Sequence, residues 1–145
     1  MPENGKSGFF LAGQLNRDTI HVAELRLSSL LLMNDKRYPW LILVPRVANA
    51  EELFDLNRLE QGFLMEEINA TSKALSLVCQ PEKMNVGALG NIVRQLHVHV
   101  VARFASDMAW PAPVWGKGEA EPYDDQGQAF LSLLRPQIKQ LLIEK

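Results

Sequence analysis

The sequence predicts an α+β fold: an antiparallel β-sheet packed with a long central helix and a C-terminal helix. Three observations predict it. Residues 95–103 (QLHVHVVAR) alternate polar and apolar side chains around β-branched valines, the pattern of a half-buried strand. Residues 30–33 and 41–44 are short continuous apolar runs separated by Asn34-Asp35-Lys36-Arg37-Tyr38-Pro39, whose polar residues and proline suit a hairpin-like connection. Asn57-Arg58-Leu59-Glu60 has capping-box spacing and opens a helical stripe of Leu59, Phe63, Leu64, Ile68, Leu75 and Val78. Strands, then a helix, then strands, then a helix is an α+β order.

Taken along the chain, residues 1–8 read as a flexible start, and the apolar patch at 9–15 fits either a short helix or a strand. Residues 19–25 alternate in part through Ile20 and Val22 and read as the first strand. The two apolar runs supply the next strands, and Pro45 ends the second of them. A helix over 56–78 covers one sheet face. Residues 80–91, with Pro81, Gly87 and Gly90, form a strand or turn leading into the histidine strand. The last helix runs over about 124–134, through Phe130, Leu133 and Leu134, and Pro136 breaks or kinks it ahead of Ile138. With no repeat, low-complexity segment or linker, residues 1–145 read as one domain. Its motif region spans about 30–103, and a C-terminal loop and helix occupy 104–145.

Composition bounds the partners. Hydrophobic residues at 47% and charged residues at 22% are ordinary for a globular domain large enough to bury a core. A net charge of −2 leaves no basic footprint for nucleic acid. Cys79 is the single cysteine, which excludes a disulfide framework or cysteine-based metal site and fits a reducing cytoplasm. The opening MPENGKSG lacks the build of a signal peptide, and no apolar run approaches the ~20 residues of a membrane span.

The chemistry concentrates in the histidine strand. Leu96, Val98 and Val100 would face a core, while Gln95, His97 and His99 share the other face, roughly 6.5–7 Å apart. Unpaired imidazoles are costly to bury, so this face reads as reactive. A neutral imidazole is a good nucleophile near pH 7, and attack on phosphorus splits one hard substitution into two easier ones. Asn85 and Asn91 are amides able to donate to phosphate oxygens, and Gly87 and Gly90 let backbone N–H groups approach an anion.

These residues resemble the signature of the histidine triad (HIT) superfamily, His-φ-His-φ-His-φ-φ, with Gln95 in the first histidine's place. Asn85-Val86-Gly87 through Gly90-Asn91 is similar to the Gly-rich stretch that precedes the triad, one residue shorter than the common pattern. Residues 30–46 resemble the family's strand pair, and the PAPVWG segment ending at Gly116 looks like a bacterial branch. The resemblance implies that His97 attacks the α-phosphate of a nucleotide to give a nucleotidyl-histidine. His99 would then serve as hydrogen-bond donor or general acid. Gln95 would orient His97 through its backbone carbonyl and keep a side-chain donor for a phosphate oxygen. Asn85, Gly87 and Asn91 would hold the phosphate, and Asn34 or Asp35 the nucleoside sugar. Pro39-Trp40 stands where the family often has Gly-His, and Ala102 where it has proline. The implied protein is a nucleotide hydrolase or nucleotidyl transferase, metal-independent, without cofactor, and homodimeric.

Other readings stay open at this point. A HIT-like module could bind a nucleotide with little or no turnover. His97 and His99 with a carboxylate from elsewhere could hold a metal, although a site normally needs three or four ligands. Asn34, Asp35, Asn85 and Asn91 are also good turn residues. His21 reads as structural or exposed, and Lys36 and Arg37 as solvated turn charges. The Trp110–Gly116 segment suits a pocket rim or dimer contact, or a loop pinned onto its own core.

Overall fold

The computed structural model describes residues 8–143, so all but the last residue of the 1–8 start lies outside the described residues. Helix α1 (Gly13–Asp18) leads into strands β1 (Thr19–Glu24), β2 (Ser28–Met33) and β3 (Trp40–Pro45). Helix α2 (Arg58–Cys79) follows, then β4 (Lys83–Gly87), β5 (Val98–Arg103) and α3 (Gln126–Ile138). The strands form one five-stranded sheet in the order β1-β2-β3-β5-β4, with every neighbouring pair antiparallel. This is the α+β architecture that the sequence predicts, and β5 lies inside the sheet.

Alternation assigns the two faces. Leu30, Leu32, Leu41, Leu43, Val98 and Val100 pack beneath α2 and α3, whereas Leu31, Trp40, Ile42, Val44 and Val101 face the opposite way. That second face is covered too, by Phe9, Leu15, Ala109 and Val114. Two covered faces explain why β2 and β3 read as unbroken apolar runs instead of alternating ones. Of the 9–15 patch, only Gly13 onward is helical. Phe9 through Ala12 lie outside helix and strand, and Leu11 and Ala12 pack on the second core.

Helix α2 begins as its local signals dictate. The Asn57 side chain accepts from the Glu60 N–H, and the Glu60 side chain accepts from the Asn57 N–H, closing a capping box. Its buried face differs from the expected stripe. Leu59 is 66% exposed, while Glu67 and Thr71 are buried with Leu64, Ala74 and Leu75. Glu67 has a reason to be there: its Oε2 accepts from the Leu27 N–H at 2.7 Å, satisfying a donor in the β1–β2 turn. Burial raises its carboxyl above the usual range despite that bond.

Of the break or kink expected at Pro136, the break does not occur. Helix α3 runs through the proline to Ile138 and continues as a wide π-type turn over Lys139–Ile143. Leu131, Leu134 and Ile138 fall on one face and are fully buried. Burying a side chain such as Ile138 contributes about 1.5–3 kcal/mol, comparable with the ~3 kcal/mol that an internal proline costs. The Lys139 N–H reaches the carbonyls of both Arg135 and Pro136, so the backbone stays bonded past the ring.

Candidate active site

His97 and His99 come together on the second face of the sheet, their rings 4.9 Å apart and tilted edge to face. Both are nearly buried, at 6% and 5% exposure. The hydrogen-bonded ladder of β5 begins only at Val98, where Leu43 is its β3 partner. The chain before it is bonded elsewhere, with the Leu96 N–H donating to the Ala50 carbonyl. Across the His97 side opens a cleft of about 230 Å³, walled by residues 51–54 and 88–90.

Each imidazole has the role of its Nδ1 fixed by a partner. His97 Nδ1 lies 2.7 Å from the Gln95 carbonyl oxygen, which can only accept, so Nδ1 carries a proton and Nε2 is the nitrogen left free to face a substrate. His99 is held the other way round. Trp40 Nε1 lies 3.0 Å from His99 Nδ1, and an indole N–H can only donate. Trp40 reaches His99 diagonally across the ladder, because Ile42 is the direct partner of His99 and Trp40 that of Val101. Burial, and after it the neighbouring His97, push His99 down to about 4, so it is neutral near pH 7.

The remaining residues singled out by sequence divide by place. Gly87 is the β4 partner of His99, and a Cβ there would stand 3.5 Å from the Trp115 ring. Asn85, two residues earlier on β4, accepts at Oδ1 from Arg103 Nη1 at 2.8 Å, which fixes the orientation of its amide. Gly90, at φ +76°, lines the His97 cleft, whereas Asn91 is exposed and lines a neighbouring depression with Arg94 and Glu51. The Gln95 side chain does not present its donor to the cleft. Its Nε2 donates to the Phe10 carbonyl, and its Oε1 accepts from the Ala12 N–H, each at 2.8 Å.

Asn34 and Asp35 sit past the end of β2, two strands from β5, and both hold the segment ahead of α3. Asn34 Oδ1 accepts from the Tyr123 N–H, and Asp35 Oδ1 from the Glu121 N–H. Arg37 is no solvated charge, because its guanidinium forks onto both Asp35 oxygens. Burial works to raise the Asp35 carboxyl, but Arg37 and the backbone donors outweigh it and hold it below the usual range.

A family model of the HIT domain matches residues 14–106, a span that contains every element from α1 through β5 save only the first residue of α1. The chain belongs to the histidine triad (HIT) family. It is similar to a histidine triad protein from Bradyrhizobium japonicum at 45% identity and a TM-score of 0.89, over 90% of this chain and 98% of that one. A histidine triad protein from Sinorhizobium meliloti 1021 matches at 46% identity and a TM-score of 0.87, covering 95% and 100%. One from Marinobacter aquaeolei VT8 matches at 43% identity and a TM-score of 0.89, covering 93% and 99%. No curated protein matches the sequence. The HIT superfamily includes nucleotide hydrolases and transferases.

Two residues of this HIT site, Trp40 and Arg103, were given no role by the sequence reading, and a third, Trp115, was read only as part of a pocket-rim or pinned-loop segment. Trp40 registered there only as a missing histidine. Arg103, 1% exposed, forks onto both oxygens of Asp107, and also donates to Asn85 and to the Ala112 carbonyl. It thereby fastens β4 and the loop of residues 107–115 to β5. The pairing draws Asp107 down to about 2 even though burial opposes it. The signal was an arginine ending an apolar strand with an aspartate four residues on. Trp115 packs edge to face on His99 with centroids 5.2 Å apart, and its indole N–H is buried with no hydrogen-bond partner among the described residues. Among the described residues, no three His, Cys, Asp or Glu side chains gather as a group able to hold a metal ion, and no helix is long and apolar enough to cross a membrane.

Proposed function

We propose that this protein is a nucleotide hydrolase or nucleotidyl transferase of HIT type, with His97 as nucleophile and His99 beside it as donor to the phosphate or leaving group. The observation that carries this reading is the 2.7 Å bond from His97 Nδ1 to the Gln95 carbonyl. A backbone carbonyl does this work whatever side chain follows it, so glutamine in the first triad position leaves the nucleophile oriented. Nε2 attacks the α-phosphorus of a nucleotide, and the P–N bond forms as the bond to the leaving group breaks with its electron pair. An anhydride releases a phosphate or nucleotide anion, and a phosphoramidate releases an amine that takes its proton from solvent. The resulting imidazolium keeps its Nδ1 proton on the Gln95 carbonyl. Water or another acceptor then attacks phosphorus and loses its proton to solvent, and the P–N bond breaks to restore neutral His97. The route balances without a metal ion or cofactor.

In this reading, Asn85 offers its amide NH2 to a phosphate oxygen, and the backbone around Gly87 and Gly90 approaches the anion. The test is intact-protein mass spectrometry after brief incubation with an adenosine phosphoramidate or a dinucleoside polyphosphate, quenched in alkali. Wild type is expected to gain a nucleotidyl adduct and His97→Ala none. A His97→Ala variant that still turns over substrate overturns the mechanism. A nucleotide-binding module with little turnover is the second reading. It is favoured by the Gln95 side chain being bonded within the chain, which leaves the first triad position without a side-chain donor for the phosphate. Binding by titration without an adduct would select it.

A further inference from the structure

We propose that Trp40 is a positioning residue that fixes the third-position histidine, His99, as its neutral Nε2–H tautomer, so that His99 serves the reaction as a hydrogen-bond donor and not as a proton-transferring acid. The inference deepens the HIT-type reading above and rests on it for the catalytic part alone. Its ground is the 3.0 Å contact between Trp40 Nε1 and His99 Nδ1, two atoms brought together across β3 and β5. The indole nitrogen has no lone pair to offer, so the imidazole nitrogen facing it must accept. A neutral imidazole that accepts at Nδ1 carries its single proton at Nε2.

The surroundings close off the other protonation states. A doubly protonated His99 would set its Nδ1–H against the Trp40 N–H inside a buried site, leaving two donors unpaired. The elements packed on His99 are β3 with Trp40 and Ile42, β4 with Gly87, and the loop carrying Trp115. Among the described residues that face it, His97 alone has an ionisable side chain, and no carboxylate is there to stabilise an imidazolium. The depressed proton affinity of the ring agrees with this. A neutral ring could give up its Nε2 proton only by becoming an imidazolate, so its contribution is a fixed dipole aimed at developing charge. The His97 ring shows the opposite tautomer, set by a carbonyl. In its neutral form His97 therefore presents a lone pair at Nε2 where His99 presents a proton.

The experiment is long-range 1H–15N NMR on the full chain with 15N-labelled histidine, for wild type, Trp40→Phe and Trp40→His, each checked for native chemical-shift dispersion. Wild type at pH 7 is expected to show His99 wholly as the Nε2–H form. Trp40→Phe removes the donor, and Trp40→His replaces it with a ring that can donate or accept, so both are expected to give a mixture of tautomers. In parallel, kcat for adenosine phosphoramidate is expected to fall in Trp40→Phe about tenfold with KM little changed, the scale of loss when the partner orienting a functional histidine is removed. Wild type carrying the His99 proton on Nδ1 overturns the proposal without any variant. A folded Trp40→Phe that keeps a pure Nε2–H form overturns it as well. An Nε2–H form that depends on Trp40, in a protein that never forms the His97 adduct, supports the Trp40 assignment and overturns the nucleotidyl-transfer reading instead.

Discussion

Gln95 holds Ala12 across 83 residues of sequence: the Ala12 N–H donates to Gln95 Oε1 at 2.8 Å, while Gln95 Nε2 donates to the neighbouring Phe10 carbonyl. The residue in the first triad position thus does two separable things. Its backbone carbonyl orients His97, and its side chain fastens the chain entering α1.

Gln95→Ala separates them. The carbonyl survives, so adduct formation on His97 is expected to stay within about threefold of wild type, because the lost bonds touch no catalytic atom. Two backbone groups lose their partners, at about 1 kcal/mol each where water can reach them. Hydrogen exchange should accelerate at Ala12 and its neighbours while β5 stays protected. Gln95→His is expected to release the same segment, since one imidazole cannot both accept from Ala12 and donate to Phe10 with the amide's geometry.

The pH dependence of stability has a sign set by His99. Its folded-state value of about 4 lies below the ordinary 6.5, so the unfolded chain binds more protons between those limits. Stability is therefore full above about pH 6.5 and declines as pH falls toward 4, by about 2–3 kcal/mol for a shift of this size. Urea midpoints at pH 7, 5.5 and 4.5 should show this decline in wild type and a shallower one in His99→Gln. Asp107, held at about 2, acts in a lower window: its contribution is present above its usual value and is lost as pH falls from about 4 toward 2.

Arg103→Lys tests the tie between β5 and the 107–115 loop. Lysine cannot reproduce the fork onto Asp107 together with the bonds to Asn85 and Ala112. A loss of about 2–4 kcal/mol is expected, near that of breaking a buried ion pair. Denaturant unfolding followed by tryptophan fluorescence reads both the loss and the loosening of Trp115.

Trp40→Phe and Trp115→Phe should differ although both remove an indole N–H from the same aromatic cluster. Trp40 donates to His99, whereas the Trp115 donor is buried without a partner among the described residues. Deleting a bonded donor leaves an acceptor stranded, while deleting an orphan removes a desolvation cost, a contrast of about 1–3 kcal/mol. Thermal melts of the two variants side by side should place Trp115→Phe above Trp40→Phe.

What could be read from sequence was local. The capping box at Asn57 and Glu60 uses atoms three residues apart, and the faces of β5 follow from a period of two, so both were legible. The partners of the same residues were not. Trp40 meets His99 across 59 positions, and Asn34 meets Tyr123 across 89, contacts that only the sheet order and the C-terminal segment create. Helical periodicity likewise admits Leu59 to the apolar stripe of α2. It says nothing of the unpaired N–H at Leu27 that draws Glu67 inside instead. Proline is a local signal too, but at Pro136 a long-range packing requirement on Ile138 overrules it.

The β5 ladder starts between the two histidines. His99 is carried by backbone bonded on both edges, to β3 and β4, whereas His97 stands one residue before that ladder begins. The pair therefore straddles a mechanical boundary. The His99 ring is carried by an interior strand, while His97 hangs from a connector held by Ala50 and the N-terminal segment. A change in the connector or the N-terminal segment would therefore reach His97 first, and one in the sheet would reach His99 first.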